Sequence, residues 1–245
     1  SEMCIRDRYM ILIILLILII LLILINTKKP VRELKLKNLY DKEYHRYRIG
    51  DVYKWGKGPN YNKVKYHEEN FPNSIATKYL NLLKNGESNN KDKLMRIIHN
   101  EPQLDSMPED NSFVLHMRVG DVLCRHHGAN VKRWFASSSM IKHYTKKDNP
   151  EWWRDILKFM NEKNLDKVYI IVGSHTPYCL LESEDFIMDR VNMFKKNGKD
   201  VVLRIGNTPD EDILWVRRAK YFKSTGGGYG RVLGIASQEN SDVYK

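Results

Sequence analysis

The chain is expected to fold as an α/β protein, a Rossmann-like parallel sheet wrapped by helices, with a reduced helical part and one transmembrane helix before it. Three observations predict this. From residue 112 onward strand and helix patterns alternate four times, the rhythm of βαβ units. The strands are short apolar runs, Ser112–Leu115 and Lys167–Val172 foremost, as in strands covered on both faces. Met10 to Ile25 is an unbroken run of Met, Ile and Leu. No period of 20–50 residues repeats, so a solenoid is not expected.

Taken in order, residues 1–9 (Ser-Glu-Met-Cys-Ile-Arg-Asp-Arg-Tyr) resemble a translated sequencing-adapter read and are expected to be a non-native tail, with Met10 as the natural start. Residues 10–26 read as an uncleaved anchor, because no small-residue cleavage site follows, only Asn26-Thr27-Lys28-Lys29-Pro30. A helix over this run would span about 24 Å at ~1.5 Å per residue, and snorkelling lysines would extend it toward a ~30 Å hydrocarbon core. Lys28, Lys29, Arg32, Lys35 and Lys37 flank it downstream; by charge alone they would keep the following domain in the cytoplasm.

Residues 27–65 read as a polar stem with a turn at Gly56-Lys57-Gly58-Pro59. Its Tyr53, Trp55 and Tyr61 either anchor the loop or stack on sugar rings. Residues 66–110 read as a small helical region. One helix is expected over 73–84, with Ile75, Tyr79, Leu80 and Leu83 on one face and Asn85-Gly86 as its stop. A second is expected over 91–99, carrying Leu94, Ile97 and Ile98, before a Pro-bearing acidic linker over 101–110.

Residues 111–245 are expected to form the sheet domain. Asn149-Pro150 opens a helix through Lys163, with Trp152, Trp153, Ile156, Leu157 and Met160 as its apolar stripe. The strand Lys167–Val172 follows, then a helix over 183–197 stopped by Gly198, and a strand over 201–205. Thr208-Pro209-Asp210-Glu211 is a capping box with proline at the first helical position. The last strand is expected over 220–224 and the last helix from Arg231.

The net charge of +11 and pI near 9.4 suit an anionic partner. The lysines are scattered and fall into no nucleic-acid-binding motif, so a solvated basic surface is expected and no nucleic acid. Cys4, Cys124 and Cys179 form no Cys-x-x-Cys pair. Cys124 and Cys179 each follow a strand and could meet in a disulfide in an oxidising lumen; two free buried thiols are the favoured expectation.

Chemistry concentrates in His116-Met-Arg118-Val-Gly120-Asp121, at the carboxyl end of the first strand. Alternation puts His116 and Arg118 on one face, and Gly120 permits a sharp turn or close approach to a ligand. Ligands of open α/β sheets bind at that edge, and a guanidinium there suits phosphate. The ordinary alternative is a buried histidine beside an Arg–Asp pair. Two further loops lie at carboxyl strand ends. Ser174 and His175 sit in Gly173-Ser-His-Thr-Pro177. Ser224, Thr225, Gly226, Gly227, Gly228 and Tyr229 form a glycine turn that is either a tight connection between packed elements or a cradle of amides for phosphate at a helix start. It is neither Gly-x-Gly-x-x-Gly nor a P-loop. Arg125, His126 and His127 lack metal-site spacing and read as a loop over the substrate or an ordinary surface loop.

The His116–Asp121 string resembles the His-x-Arg-x-Gly-Asp motif of the fucosyltransferase superfamily that makes α1,2 and α1,6 linkages and fucosylates proteins. In that family the first arginine holds the diphosphate of GDP-fucose; the matching residue is Arg118. A second basic residue often follows it in the family; here that position is Val119. Asp212 to Ser237 resembles the last motif of the same superfamily, in which an acidic residue, an Ala-Asp-type turn and a Ser/Thr-rich loop line the donor pocket. Asp212, Ser224 and Thr225 match, Ala219-Lys220 stands where Ala-Asp is usual, and glycines replace several hydroxyl residues. The resemblance covers residues 112–237.

It implies a GT-B-like, metal-independent transferase without a cofactor, with a GDP-sugar donor and a glycan or glycoprotein acceptor, anchored through residues 10–26 with a Golgi or ER lumenal domain. The 66–110 region would be its acceptor side. Arg118 and the 224–230 amides would neutralise the departing diphosphate. His116 would bond the β-phosphate and Asp121 orient sugar or acceptor, with no general base assigned. Asp185, Asp210 and Glu211 read as helix-start charges. Two other readings compete: a membrane-anchored nucleotide- or glycan-binding module without transfer, and a basic scaffold on anionic lipid or nucleic acid.

Overall fold

The computed structural model describes residues 35–40, 65, 68–84, 91–124, 143–174 and 176–237, within one compact unit that begins at Lys35. Its helices are α1 (Ile75–Lys84), α2 (Lys91–Asn100), α3 (Pro150–Glu162), α4 (Leu180–Lys196), α5 (Pro209–Val216) and α6 (Gly227–Ala236). Its strands are β1 (Ser112–Arg118), β2 (Lys167–Gly173), β3 (Asp200–Arg204) and β4 (Phe222–Ser224), and a 3₁₀ turn at Gly120–Leu123 follows β1.

The four strands are parallel in the order β3-β2-β1-β4. β1 is central, pairing Ser112–Arg118 with Lys167–Gly173 on one side and Val114–His116 with Phe222–Ser224 on the other. From β1 to β3 the chain steps one way; from β3 it returns past β1 to lay down β4. Right-handed crossovers in opposite directions put their helices on opposite faces. Accordingly Trp153 and Ile156 of α3 and Phe186 and Phe194 of α4 pack with Phe113, Leu115 and Met117 on one face. Ile213 and Val216 of α5 and Val232 and Leu233 of α6 pack with Val114, Ile171 and Phe222 on the other. The winding reverses between β1 and β4, which opens a crevice at the carboxyl edge there.

Local chemistry sets the helix starts as expected. Asn149 accepts the Trp152 amide at 3.1 Å with Pro150 behind it. Thr208 and Glu211 complete the capping box of α5. Asp210 reaches across to accept the Ile75 amide at 3.0 Å, so it tethers the start of α1 as well. Buried Arg217 donates to the Ile98 carbonyl at 2.7 Å near the end of α2, a cation serving orphan carbonyls. α1 and α2 thus belong to the core shared with α5 and α6, through Ile75, Tyr79, Leu80, Leu94 and Ile98.

Several expectations need correction. The last helix starts at Gly227, four residues before Arg231, and the last strand begins at Phe222. The helix expected over 183–197 begins at Leu180. Residues 35–40, expected in a stem, are part of the fold: the Lys35 and Leu36 amides donate to Glu184 at 2.6 and 2.8 Å, Leu39 is buried, and Tyr40 bridges Ser174. Cys124 and Cys179 are joined in a disulfide, against the expectation of free thiols. The 3₁₀ turn after β1 and the N-cap of α4 bring the two Cα atoms to 5.4 Å, within bonding reach. Among the described residues no helix is long and apolar enough to cross a membrane; the run at 10–26 lies outside them, as do Tyr53, Trp55, Tyr61 and Arg125–His127.

Candidate functional site

The site is built at the crevice between β1 and β4. Parallel pairing sets His116 beside Ser224, and the ring Nδ1 lies 2.8 Å from the Ser224 hydroxyl. Ser224 Oγ also accepts the Gly226 amide at 3.1 Å and lies 3.4 Å from the Gly226 carbonyl, to which it can donate. One residue further, the Thr225 amide donates to the His116 carbonyl at 3.0 Å and the Arg118 amide donates to Thr225 Oγ1 at 2.9 Å. These bonds sew the end of β1 to the glycine turn after β4.

His116 is 6 % exposed and its ring meets Tyr229 edge-on at 5.5 Å. Burial, and secondarily the Arg118 charge, lowers its pKa to about 3, so it is a neutral hydrogen-bonding group at physiological pH. An unfolded imidazole titrates near 6.5, so the contribution to stability is complete above that pH and lost as pH falls toward 3. Chemical denaturation from pH 7 to 4 is expected to show a steep acid loss that His116→Asn flattens.

Arg118 extends past the strand end. Its Nη2 donates to Asp121 Oδ1 at 2.7 Å, and its Nε is buried without an acceptor. Opposite it, α6 starts at Gly227 (φ +88°), where an added Cβ would lie 3.4 Å from Arg118 Cδ. No side chain caps α6. Its first N–H groups therefore point from a helix start that carries partial positive charge, beside a guanidinium with a spare donor. The other wall is Tyr144, 3.5 Å from a Cβ placed on Gly226 and edge-on to His143 at 4.8 Å.

Close approach explains Gly230 as well. An added Cβ would meet Ser224 Oγ at 2.1 Å and His116 Nδ1 at 3.0 Å, two atoms already committed to each other. Gly230→Ala is expected to cost about 1–3 kcal/mol through overpacking, read as a lower thermal midpoint with the His116–Ser224 contact broken.

The structure brings together His116, Arg118, Gly120, Asp121, Ser224, Thr225 and Gly226–Tyr229. Tyr229 bridges His116 to α5, its hydroxyl donating to the Pro209 carbonyl at 2.9 Å. Ser174 is a prop and not a wall: it is 1 % exposed, donates to the Thr176 carbonyl at 2.8 Å and lies beneath Gly120. His175 lies outside the described residues. Asp212 is buried and accepts from Arg204 Nε at 2.7 Å. Burial pushes its pKa up to about 7, with Arg204 opposing, so its share of stability is full below pH 3.8 and shrinks as pH rises to about 7. The sequence does carry one Asp-x-Asp string, Asp210-Glu211-Asp212, and its carboxylates serve the α1 start, the α5 cap and Arg204 respectively. Among the described residues no group of three or more His, Cys, Asp or Glu is placed to hold a metal. Tyr144, Thr176 and Ser183 adjoin the site with no motif to announce them; Ser183 lies 63 residues from its partner Gly120.

Comparison with models of protein families, with curated proteins and with solved structures returned no match. The function is therefore read from the geometry of the site and from the motifs of the sequence.

Proposed function

We propose that the chain is a glycosyltransferase that moves fucose or a related sugar from a GDP-sugar to a glycan or protein hydroxyl without a metal, on a GT-B-like half. One observation carries this reading: at the switch point the Arg118 side chain packs against the uncapped start of α6, a Cβ on Gly227 falling 3.4 Å from Arg118 Cδ. An anion with several oxygens spaced like a diphosphate would meet the exposed part of the Arg118 guanidinium and the first amides of α6 at once. Charge growing on the diphosphate as the sugar leaves would be met by donors already in place. His116, neutral, keeps Ser224 and the turn in position and would hydrogen-bond the β-phosphate. Sequence resemblance supplies the sugar and the nucleotide. The Cys124–Cys179 disulfide favours an oxidising lumen for this domain, with residues 10–26 as the anchor.

A second reading, a binding module without transfer, is favoured by one feature. The carboxylate beside the seat, Asp121, is held by Arg118 and no poised general base stands out among the described residues. The test is thermal unfolding of the full chain in detergent with a panel of nucleotides, followed by incubation with GDP-fucose and glycan acceptors. GDP at about 100 times its Kd should raise stability by about 2.7 kcal/mol, and adenosine and uridine diphosphates should do less. Protection with no glycan product selects the binding module; no protection by any diphosphate sinks the transferase and the nucleotide-binding form of the module.

A further inference from the structure

Arg118 and Asp121 lie on either side of Gly120, and what holds that glycine is a buried hydroxyl from another element. Gly120 has φ +81°, a conformation that only glycine adopts readily, and an added Cβ would meet Ser174 Oγ at 2.5 Å. Its amide donates to Ser183 Oγ at 3.0 Å. Ser183 is fully buried and passes its own proton to the Cys179 carbonyl at 2.6 Å. Cys179 is itself left-handed (φ +57°) and disulfide-bonded to Cys124, at the far end of the same 3₁₀ turn. One hydroxyl thus ties the middle of the Arg118–Asp121 turn to the first turn of α4, while the disulfide ties its end.

We propose that Ser183 is a positioning residue of the anion seat: by holding the Gly120 amide it sets the turn on which Arg118 and Asp121 face each other, and so sets affinity for a diphosphate. This rests on the diphosphate reading above. Ser183 is closed to solvent and acts through the backbone amide it holds. Without its oxygen the Gly120 N–H would be buried with no partner, and the turn would be driven to another conformation to find one.

A merely structural serine would behave differently, and the chain contains one for comparison. Ser112, at the opposite end of β1, is 1 % exposed and donates to the Glu109 carbonyl at 2.5 Å. The experiment measures GDP binding and thermal unfolding of the full chain in detergent for wild type, Ser183→Ala, Ser112→Ala, Arg118→Ala and the Ser183→Ala/Arg118→Ala double variant. Ser183→Ala is expected to weaken GDP about tenfold, Ser112→Ala to leave GDP affinity unchanged, and the Ser183 effect to vanish on the Arg118→Ala background. Wild-type affinity in Ser183→Ala overturns the proposal, as does the same tenfold loss with Arg118 absent. If wild type binds no GDP the diphosphate reading falls, and amide exchange then decides the positioning claim alone. Gly120 and Asp121 amides exchanging at least tenfold faster in Ser183→Ala, and not in Ser112→Ala, uphold it; unchanged exchange overturns it.

Discussion

Replacing Arg118 with alanine is expected to weaken GDP binding about 100-fold, roughly 2.7 kcal/mol, while the thermal midpoint barely moves. The two halves of this expectation have separate causes. Affinity falls because a guanidinium fork is the group best shaped for a diphosphate, and Arg118 brings it against the start of α6. Stability holds because Arg118 contributes little to the fold. Its ion pair with Asp121 is partly solvated, with both side chains 24 % exposed, and its Nε is a buried donor with no acceptor. Removing an unsatisfied donor relieves a cost. Arg118→Lys should recover only part of the affinity, since an ammonium supplies charge without the fork. Isothermal titration with GDP, paired with a thermal melt of each variant, reads both halves.

Loss of the Cys124–Cys179 disulfide, through a Cys124→Ser/Cys179→Ser double variant, is expected to have the largest effect on stability. Cross-linking positions 55 residues apart removes chain entropy from the unfolded state worth about 4 kcal/mol. For a domain of this size that lowers the midpoint by on the order of 10 °C. The bond closes a loop that begins at the 3₁₀ turn after β1 and ends at the α4 N-cap, enclosing α3 and β2. Its loss should therefore also loosen the Arg118–Asp121 turn. Differential scanning calorimetry with and without a dithiol reductant reads the difference; an unchanged midpoint in the reduced wild type would show that the bond does not constrain the fold.

The central architecture was legible in the sequence because its signals are local. β1 and β2 are apolar runs between polar turns, Asn149-Pro150 and Thr208–Glu211 announce helix starts, and alternation alone puts His116 and Arg118 on one face. What was not legible depends on residues far apart. The start of α6 at Gly227 runs against glycine's weak helix propensity; three glycines in a row read as a loop until β1 packs beside them. Asp212 stands where an acidic donor-pocket residue is expected, yet its pairing with Arg204 needs the end of β3 to arrive beside α5. The disulfide needed Cys179 in a left-handed conformation that no residue type nearby signals. Ser183 carries no motif, and its partner amide belongs to another element. The Arg118–Asp121 pair and the buried His116 also match the ordinary alternative raised by the sequence alone. What the site adds to that alternative is the uncapped start of α6 packed against Arg118 at the switch point.

The central claim is that one diphosphate touches both Arg118 and the first turn of α6. Titrating GDP into full-length protein labelled with ¹⁵N-glycine tests it most directly. The account predicts that the Gly226, Gly227 and Gly228 amides shift along a single saturation curve in wild type and stay still in Arg118→Ala at the same GDP concentrations. GDP binding that depends on Arg118 but leaves those three amides unmoved would contradict it.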